Sequence, residues 1–545
     1  MAELLLGPLL RYVDESQATV WVETDVPCEV AVLGRRQETF CVKGHHYALV
    51  FIEELEPGSC TPYEVRLDGE LRWPEPGSEL PPSVIRTIDP DEEIRIAFGS
   101  CRVSVPHEPP YTLDKDAHPN GREPDALRTY ALRMLERPRE QWPQLLFMLG
   151  DQIYVDEDAP ETREFIRSRR DISEPPGEEV ADFEEYTRLY RESWSDPVVR
   201  WLFSTVGCAT IFDDHDVHDD WNTSLAWLEE MRAQPWWEER IVGALVSYWV
   251  YQHLGNMSPR ALRDRGVLQN AYDHDDAWEH LSEWAKDADW GSEGRRWSYS
   301  RTLGRNRLVV LDSREGRVLG EQPRRMFDEG EWEWLNERLT GDVEHLIIAD
   351  TLPILLPPAI HDLEAWNEAV CAGAWGGWAT GWGEKVRRAI DLEHWGAFQH
   401  SFRRLIGLIE EVAAGRRGKA PHSIVMLAGD IHHAYLAEVA FRREAGVESA
   451  VWQAVCSPYR NPLDNRERRI ASFGCSAIAR PIGKALAASA GVERPDVRWR
   501  LVQPPTFDNQ VATLHIQGAR VNVEIERTRP AERPTLETSL QRRLA

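Results

Sequence analysis

No stretch of this chain approaches the roughly 20 consecutive apolar residues that a membrane-spanning helix needs, which excludes a helical span. Basic charge is scarce: 63 Lys and Arg stand against 91 Asp and Glu, a formal charge of −28. Phosphate backbones and anionic membranes are held by clustered Lys and Arg, so this balance argues against both as partners. Cysteine is sparse, with eight residues scattered from 28 to 475 and no CxxC pair. That spacing is no disulfide framework. Internal repeats and low-complexity tracts are also missing. The opening MAELLLGPLLRYVDES carries an acid at Glu3 and only a short apolar run before Arg11. It lacks a basic n-region, a cleavage site and a twin-arginine pair, which predicts a cytoplasmic location.

What is present describes a multidomain protein. The 545 residues exceed one ordinary core and imply two or three domains. The 23 tryptophans sit largely in contexts such as PWWEER and EWEWLNERL, where packing is the default role. Residues 1–88 read as a small β unit: ATVWVETD, CEVAVLG and YEVRLDGELRW are short alternating runs broken by Pro, Gly and Asp. LEPGSCTPYEV (55–65) resembles the corner of fibronectin-type sandwiches, where a tyrosine, here Tyr63, hydrogen-bonds back to its turn. This unit carries no chemistry and is expected to pack or to shape a substrate site. The Pro-rich residues 73–93 read as a linker whose end, 89–93, opens the second domain.

From residue 94 the pattern changes. The apolar runs IRIAF, LLFML, ATIF, RLVVLD, HLIIAD and SIVMLA alternate with long amphipathic stretches. Strands buried on both faces look like this, and the helices between them predict a mixed α/β sheet over residues 94–545. Polar segments near 156–206 and 219–300 interrupt the scheme as helical insertions over one edge of the sheet. VATLHIQGARVNVEIER (511–527) reads as a hairpin with a Gly turn.

Four of these runs end in the same peculiar way. IAF ends in Gly99-Ser100-Cys101, FML in Gly150-Asp151-Gln152-Ile153-Tyr154, TIF in Asp213-Asp214-His215-Asp216, and VMLA in Gly429-Asp430-Ile431-His432-His433. Ligand sites of open α/β sheets gather beyond the carboxyl ends of the strands. Any one ending reads as a cap or a packed side chain, but four on one sheet converge. The economical chemistry is a two-metal site. Asp151 has two oxygens and can bridge cations roughly 3.5–4 Å apart. Cys101 and Tyr154 are anionic donors suited to trivalent iron, with His432 as a nitrogen ligand. Asp214 and Asp430 add only oxygen and, with Asp151, describe a hard site for calcium, manganese or magnesium. His215 is placed to donate a proton to a leaving oxygen, with Asp216 or Asp213 orienting it. Arg102 is a candidate clamp for a phosphoryl oxygen, a salt bridge being its alternative. In GDIHH neighbours point opposite ways, so His432 shares a face with Asp430 and His433 is supporting. Asp312 and Arg314, in LDSREGR, are expected to be a buried pair bracing the site.

The blocks FGSCR, MLGDQIYVDE, FDDHDVHDDWN, VLDSREGR and AGDIHHAYLAEV, in that order, resemble the signatures of the PhoD-like alkaline phosphatase and phosphodiesterase family of metallophosphoesterases. The likeness covers roughly residues 94–440 and extends to about 527. It implies a four-layer α/β/β/α sandwich behind a fibronectin-like domain. It implies Fe³⁺ on Cys101, Asp151, Tyr154 and His432, Ca²⁺ on Asp151, Asp214 and Asp430, and His215 by the phosphate. The implied activity is phosphoric ester hydrolysis of a small-molecule substrate, by attack of a metal-activated hydroxide on phosphorus. Mn²⁺, Zn²⁺ or Mg²⁺ are the alternatives at either position, as in an intracellular nucleotide or lipid phosphodiesterase. The alternative of another class is a scaffold protein that keeps the fold without turnover. The chain departs from the family pattern at Asp216, where Glu is usual, and at IADTLPILLPP (348–358), where a Gln-rich loop is expected. With the Trp-rich insertions, these departures predict a reshaped pocket.

Overall fold

The structure, a computed structural model, describes residues 1–157, 159–290 and 297–545. The insertions expected near 156–206 and 219–300 therefore include positions, residue 158 and residues 291–296, that lie outside the described residues.

The N-terminal region is all β. One four-stranded sheet runs Leu4–Val13, Ala18–Thr24, His45–Ile52, Phe40–Val42, and a second runs Arg35–Glu38, Glu29–Val32, Val65–Leu67, Glu70–Trp73. Period-two alternation assigns each strand's faces. Val20, Val22 and Val50 join Val30, Val65 and Leu67 in one core, whereas Trp21 and Leu49 turn the other way, toward helices.

Two expectations for this region are corrected. The Pro-rich segment is no free linker, because Val84–Arg86 pairs antiparallel with Cys60–Pro62. The Tyr63 hydroxyl does not return to its own turn but donates to the Ser204 carbonyl at 2.6 Å. A buried phenol needs an acceptor, and the end of the Pro197–Thr205 helix offers a carbonyl with no intrahelical partner.

Two larger sheets carry the rest. In the six-stranded sheet Gly207–Thr210, Leu145–Met148 and Ile94–Gly99 are parallel. The Gln510–Gln517 and Arg520–Arg529 hairpin and Thr535–Arg543 complete it antiparallel, with Gly518 at φ 52° in the turn. In the seven-stranded sheet Asn306–Leu311, His345–Asp350, Ser423–Ala428 and Ala450–Val455 are parallel, flanked by antiparallel edges. Ile347, Ala349, Val425 and Leu427 share a core with Phe98 and Phe147 of the other sheet. Their neighbours Leu346, Ile348, Ile424 and Met426 pack on Trp332, Leu405 and Ile409 of helices. Both faces are buried, so the strands are apolar without interruption.

The insertions are helical where described, and Asn256 of the second covers the edge strand Gly207–Thr210, taking the Thr210 N–H and donating to its carbonyl, both at 3.0 Å. They also lodge against the N-terminal sheet: Tyr251 sits 5.3 Å from Trp21 between ring centroids, and its hydroxyl is 3.1 Å from that of Tyr47. Tyr190 stacks on Tyr251 at 4.2 Å. Large aromatic rings need apolar area to cover, and the outward face of the small sheet supplies Trp21, Phe40 and Tyr47.

A charge cluster closes this interface. His45 lies between Glu184 (Nε2 to Oε2 2.8 Å) and Glu23 (Nδ1 to Oε1 3.6 Å), and Arg191 also pairs with Glu23. Burial disfavours the charged ring, but the hydrogen bonds to Glu184 and Glu23 outweigh it and raise its pKa from 6.5 to about 9. A raised pKa contributes stability that is present below pH 6.5 and lost as pH rises through about 9. His45→Gln is therefore expected to lower stability by about 2 kcal/mol at pH 6 and by little at pH 10. Thermal melts at the two pH values test this, and equal losses at both would refute it.

Candidate metal centre

The parallel strands deliver the expected residues at their carboxyl ends, on strained backbone. Cys101, Asp151, Asp430 and His432 have φ of 56°, 46°, 65° and 52°. Non-glycine residues seldom occupy this left-handed region, and each costs on the order of 1–3 kcal/mol. Gly150, at φ 101°, has no alternative: a Cβ there would stand 2.0 Å from Asp213 Oδ2 and 2.5 Å from Thr351 Oγ1.

Carboxylate oxygens of Asp151, Asp213, Asp214 and Asp430 lie within 4.8 Å of one another, and Asp151, Asp214 and His215 form a second such group. The Cys101 thiol and the Tyr154 phenol both donate to Asp151 Oδ2, at 3.3 and 3.2 Å. Ser100 and Ser457 hydroxyls sit 3.1 Å from the same sulfur. Asp151 Oδ1 is buried with no hydrogen-bond partner among the described residues. His432 belongs to the same turn, its N–H donating to the Asp430 carbonyl at 2.9 Å, but its ring is outside both groups. Burial pushes its pKa down to about 3, so the imidazole is neutral.

Arg314 is the principal counter-charge. Fully buried, its guanidinium meets Asp213 (Nε to Oδ1 2.9 Å), Asp430 (Nη2 to Oδ1 3.0 Å), Asp214 (Nη2 to Oδ1 3.2 Å) and Glu393. Asp214 Oδ1 faces it without hydrogen-bond geometry. The expected Asp312–Arg314 pair is corrected: Asp312 instead accepts the backbone N–H groups of Arg314 and Glu315, at 3.0 and 3.2 Å. Arg102 makes the salt bridge that was the alternative to a phosphate contact: it is buried, its Nε pairs with Asp125 at 2.8 Å and its Nη1 donates to the Ser193 carbonyl at 2.7 Å. His433 points Nδ1 at the Ile431 carbonyl (2.7 Å) and packs near Tyr435 and Phe507.

His215 is oriented by a residue the motif reading passed over. Its Nδ1 lies 2.8 Å from Asp156 Oδ1, while Asp213 and Asp216 look elsewhere. Asp216 takes Gln252 Nε2 at 3.0 Å and the Asp213 N–H at 3.1 Å, and burial raises its pKa to about 8. Burial works against a charged His215, but Asp156 and then Asp151 outweigh it and raise its pKa well above the ordinary value. The ring lies 4.2 Å from that of Tyr154. Asp156 stands five residues after Asp151 in the same YVDE turn, so proximity in sequence was a usable signal.

His394 had no such signal, whereas Thr351 directly follows the His345–Asp350 strand. His394 Nδ1 is 2.8 Å from Glu364 and its Nε2 3.1 Å from Asp430 Oδ2, yet it opens a helical region remote from any strand end. Thr351, in the departing IADTLPILLPP segment, bonds Asp213 and the Leu149 carbonyl.

The donor set fits cations. Burial raises the pKa values of Asp151 and Asp214, with neighbouring carboxylates adding to the effect. Burial, then Asp151, does the same to Cys101 and Tyr154. Ionising these groups needs positive charge beyond Arg314, and one Asp151 oxygen is buried without a hydrogen-bond partner among the described residues.

A mixed α/β pair of sheets with a buried acidic cluster at its strand ends defines the class, a metal-dependent phosphoesterase. Residues 128–266 match the PhoD-like phosphatase family, and residues 1–85 match a domain of unknown function, DUF7800. The solved structure of PhoD aligns with a TM-score of 0.60 at 13% identity, covering 100% of this chain and 92% of that one, which shows a shared fold. Purple acid phosphatase PPD1 from yellow lupin (Lupinus luteus) seeds aligns at 10% identity and a TM-score of 0.47, over 95% and 71%. No curated protein matches the chain in sequence. The PhoD-like resemblance is borne out, with MLGDQIYVDE and FDDHDVHDDWN inside the matched segment, and the chain is a phosphatase-type hydrolase.

Removing Arg314 should leave buried carboxylates without their counter-charge. Arg314→Met, melted in the presence of a chelator, is expected to lose about 3–5 kcal/mol. Unchanged stability would show that the carboxylates are neutral without it.

Proposed function

We propose that the chain hydrolyses phosphoric esters at a dinuclear centre built around Asp151. Cys101, Tyr154 and His432 with Asp151 would hold Fe³⁺, and Asp151, Asp214 and Asp430 would hold Ca²⁺, with Mn²⁺, Zn²⁺ or Mg²⁺ able to replace either. The observation that carries this reading is the divided Asp151 carboxylate. Its Oδ2 takes the thiol and the phenol, and its buried Oδ1 has no hydrogen-bond partner among the described residues. Bound there, the cations would neutralise the phosphoryl group and activate water.

The chain's own groups do the rest. Arg314 holds Asp213, Asp214 and Asp430 in register, so a phosphoryl group meets a set cradle. Asp156 keeps His215 protonated, with Nε2 turned away from the carboxylate that grips Nδ1. From Nε2 a proton passes to the leaving oxygen. The substrate is a small-molecule phosphoester, mono- or diester. The same reading divides the chain into a fibronectin-like sandwich over residues 1–88 and a catalytic α/β/β/α sandwich over 94–545. Residues such as Val20, Val30 and Val65 have a core of their own, while Trp21, Phe40 and Tyr47 share one with the 94–545 region.

Metal analysis of the purified protein, with a visible spectrum for an Fe³⁺–phenolate band, tests the centre directly. Asp151→Asn is expected to lose that metal and to slow hydrolysis of bis(p-nitrophenyl) phosphate about a thousandfold. Equal rates from wild type and variant would instead indicate a scaffold that has kept the fold. A colourless, iron-free, active enzyme would remove iron from Cys101 and Tyr154.

The proton donor has its own signature. His215→Gln should cost about a hundredfold on an alkyl phosphoester but little on a p-nitrophenyl ester, whose leaving group needs no proton. An equal loss on both substrates would give His215 another role.

A further inference from the structure

One face of the molecule contradicts the average. The Asn465–Gly474 and Ala479–Ser489 helices, with the Ile478 cap of the second, expose Ile470, Phe473, Ile478 and Ile482 at 64%, 54%, 72% and 51%. Trp378 and Trp382 of the Gly377–Ala389 helix are 80% and 46% exposed. The surfaces adjoin: Trp375 stacks on Trp382 at 6.3 Å, its Nε1 donates to the Ser489 carbonyl at 3.2 Å, and it lines one apolar hollow with Ile482. Arg466, Ile470 and Phe473 follow i, i+4, i+7 spacing along one line of their helix.

The charge of this face is reversed as well. Between residues 465 and 494 six Lys and Arg stand against two Glu, a surplus of four in a chain of net charge −28. Exposed Arg480, Lys484 and Arg494 line a cavity of about 450 Å³, which Asp362, Glu493 and Asp496 line as well.

We propose that these three helices form a docking face for an anionic phospholipid membrane. Soluble surfaces seldom keep so many large apolar side chains together in the open. Aliphatic residues and tryptophans flanked by Arg and Lys are the composition that partitions into the head-group layer. Charge complementarity favours an anionic bilayer, at roughly 1 kcal/mol per basic residue near the surface. The whole-chain charge argued against such a partner only because it averages over this face. Asn465 N–H donates to Asp116 at 3.2 Å, and Lys115 pairs with Glu467 at 3.6 Å, which anchors the first of these helices to residues 115–116.

Flotation of the full chain with vesicles tests the proposal, comparing equal parts phosphatidylcholine and phosphatidylglycerol with phosphatidylcholine alone. The protein should float with the anionic vesicles and release as salt is raised. Phe473→Ser with Ile478→Ser, and separately Arg480→Glu with Lys484→Glu, should each reduce the bound fraction about tenfold. Melting curves of both variants should match the wild type, since all four positions are exposed. No flotation, equal binding to both vesicle types, or variants that bind like wild type would overturn the proposal. So would a dimer in light scattering that the Phe473→Ser/Ile478→Ser variant disperses, because the face would then belong to a second copy of the chain.

Discussion

The architecture of the centre depends on one buried guanidinium. Arg314 follows the Asn306–Leu311 strand of the seven-stranded sheet. It reaches Asp430 of the same sheet and Asp213 and Asp214 of the other. It therefore ties the carboxyl edges of both sheets together where the carboxylates meet. Four acids in so small a volume repel one another, and burial removes the water that would screen them. A planar donor with five N–H groups satisfies several at once, which a lysine could not.

Around that staple the backbone is held in conformations it would not choose. Cys101, Asp151, Asp430 and His432 all adopt left-handed φ immediately after buried strands. The strands supply the rigidity that makes such strain tolerable. Gly150 belongs to the same design, because the space a side chain would need is filled by Asp213 and Thr351.

The N-terminal region is coupled to this centre through the helical insertion. Arg11 donates to the Gln252 carbonyl, and the Gln252 amide holds both Asp216 and the Tyr190 hydroxyl, at 3.0 and 2.9 Å. The aromatic layer of Trp21, Tyr47, Tyr190 and Tyr251 fills the space between. The N-terminal region thus buttresses the turn that carries Asp214 and His215.

Local signals in the chain were enough to determine the strands, their doubly buried faces, the glycine-marked ends that carry Cys101, Asp151 and Asp430, and the acidic end that carries Asp214. Burial and strand ends are written in short apolar runs and the residues that break them. The partners of those residues were not legible. Arg102 reads equally as a phosphate clamp or a salt bridge until Asp125 and Ser193 are seen to take its Nε and Nη1 donors. Asp312 reads as the mate of Arg314 until it is found capping the backbone of its own turn. His394 has no sequence mark at all, since its contact with Asp430 spans two separate elements. Which groups share a proton, a charge or a surface depends on chain segments brought together from hundreds of residues apart. Only the tertiary structure decides that, because side-chain pairing is a property of distance in space and not of order along the chain.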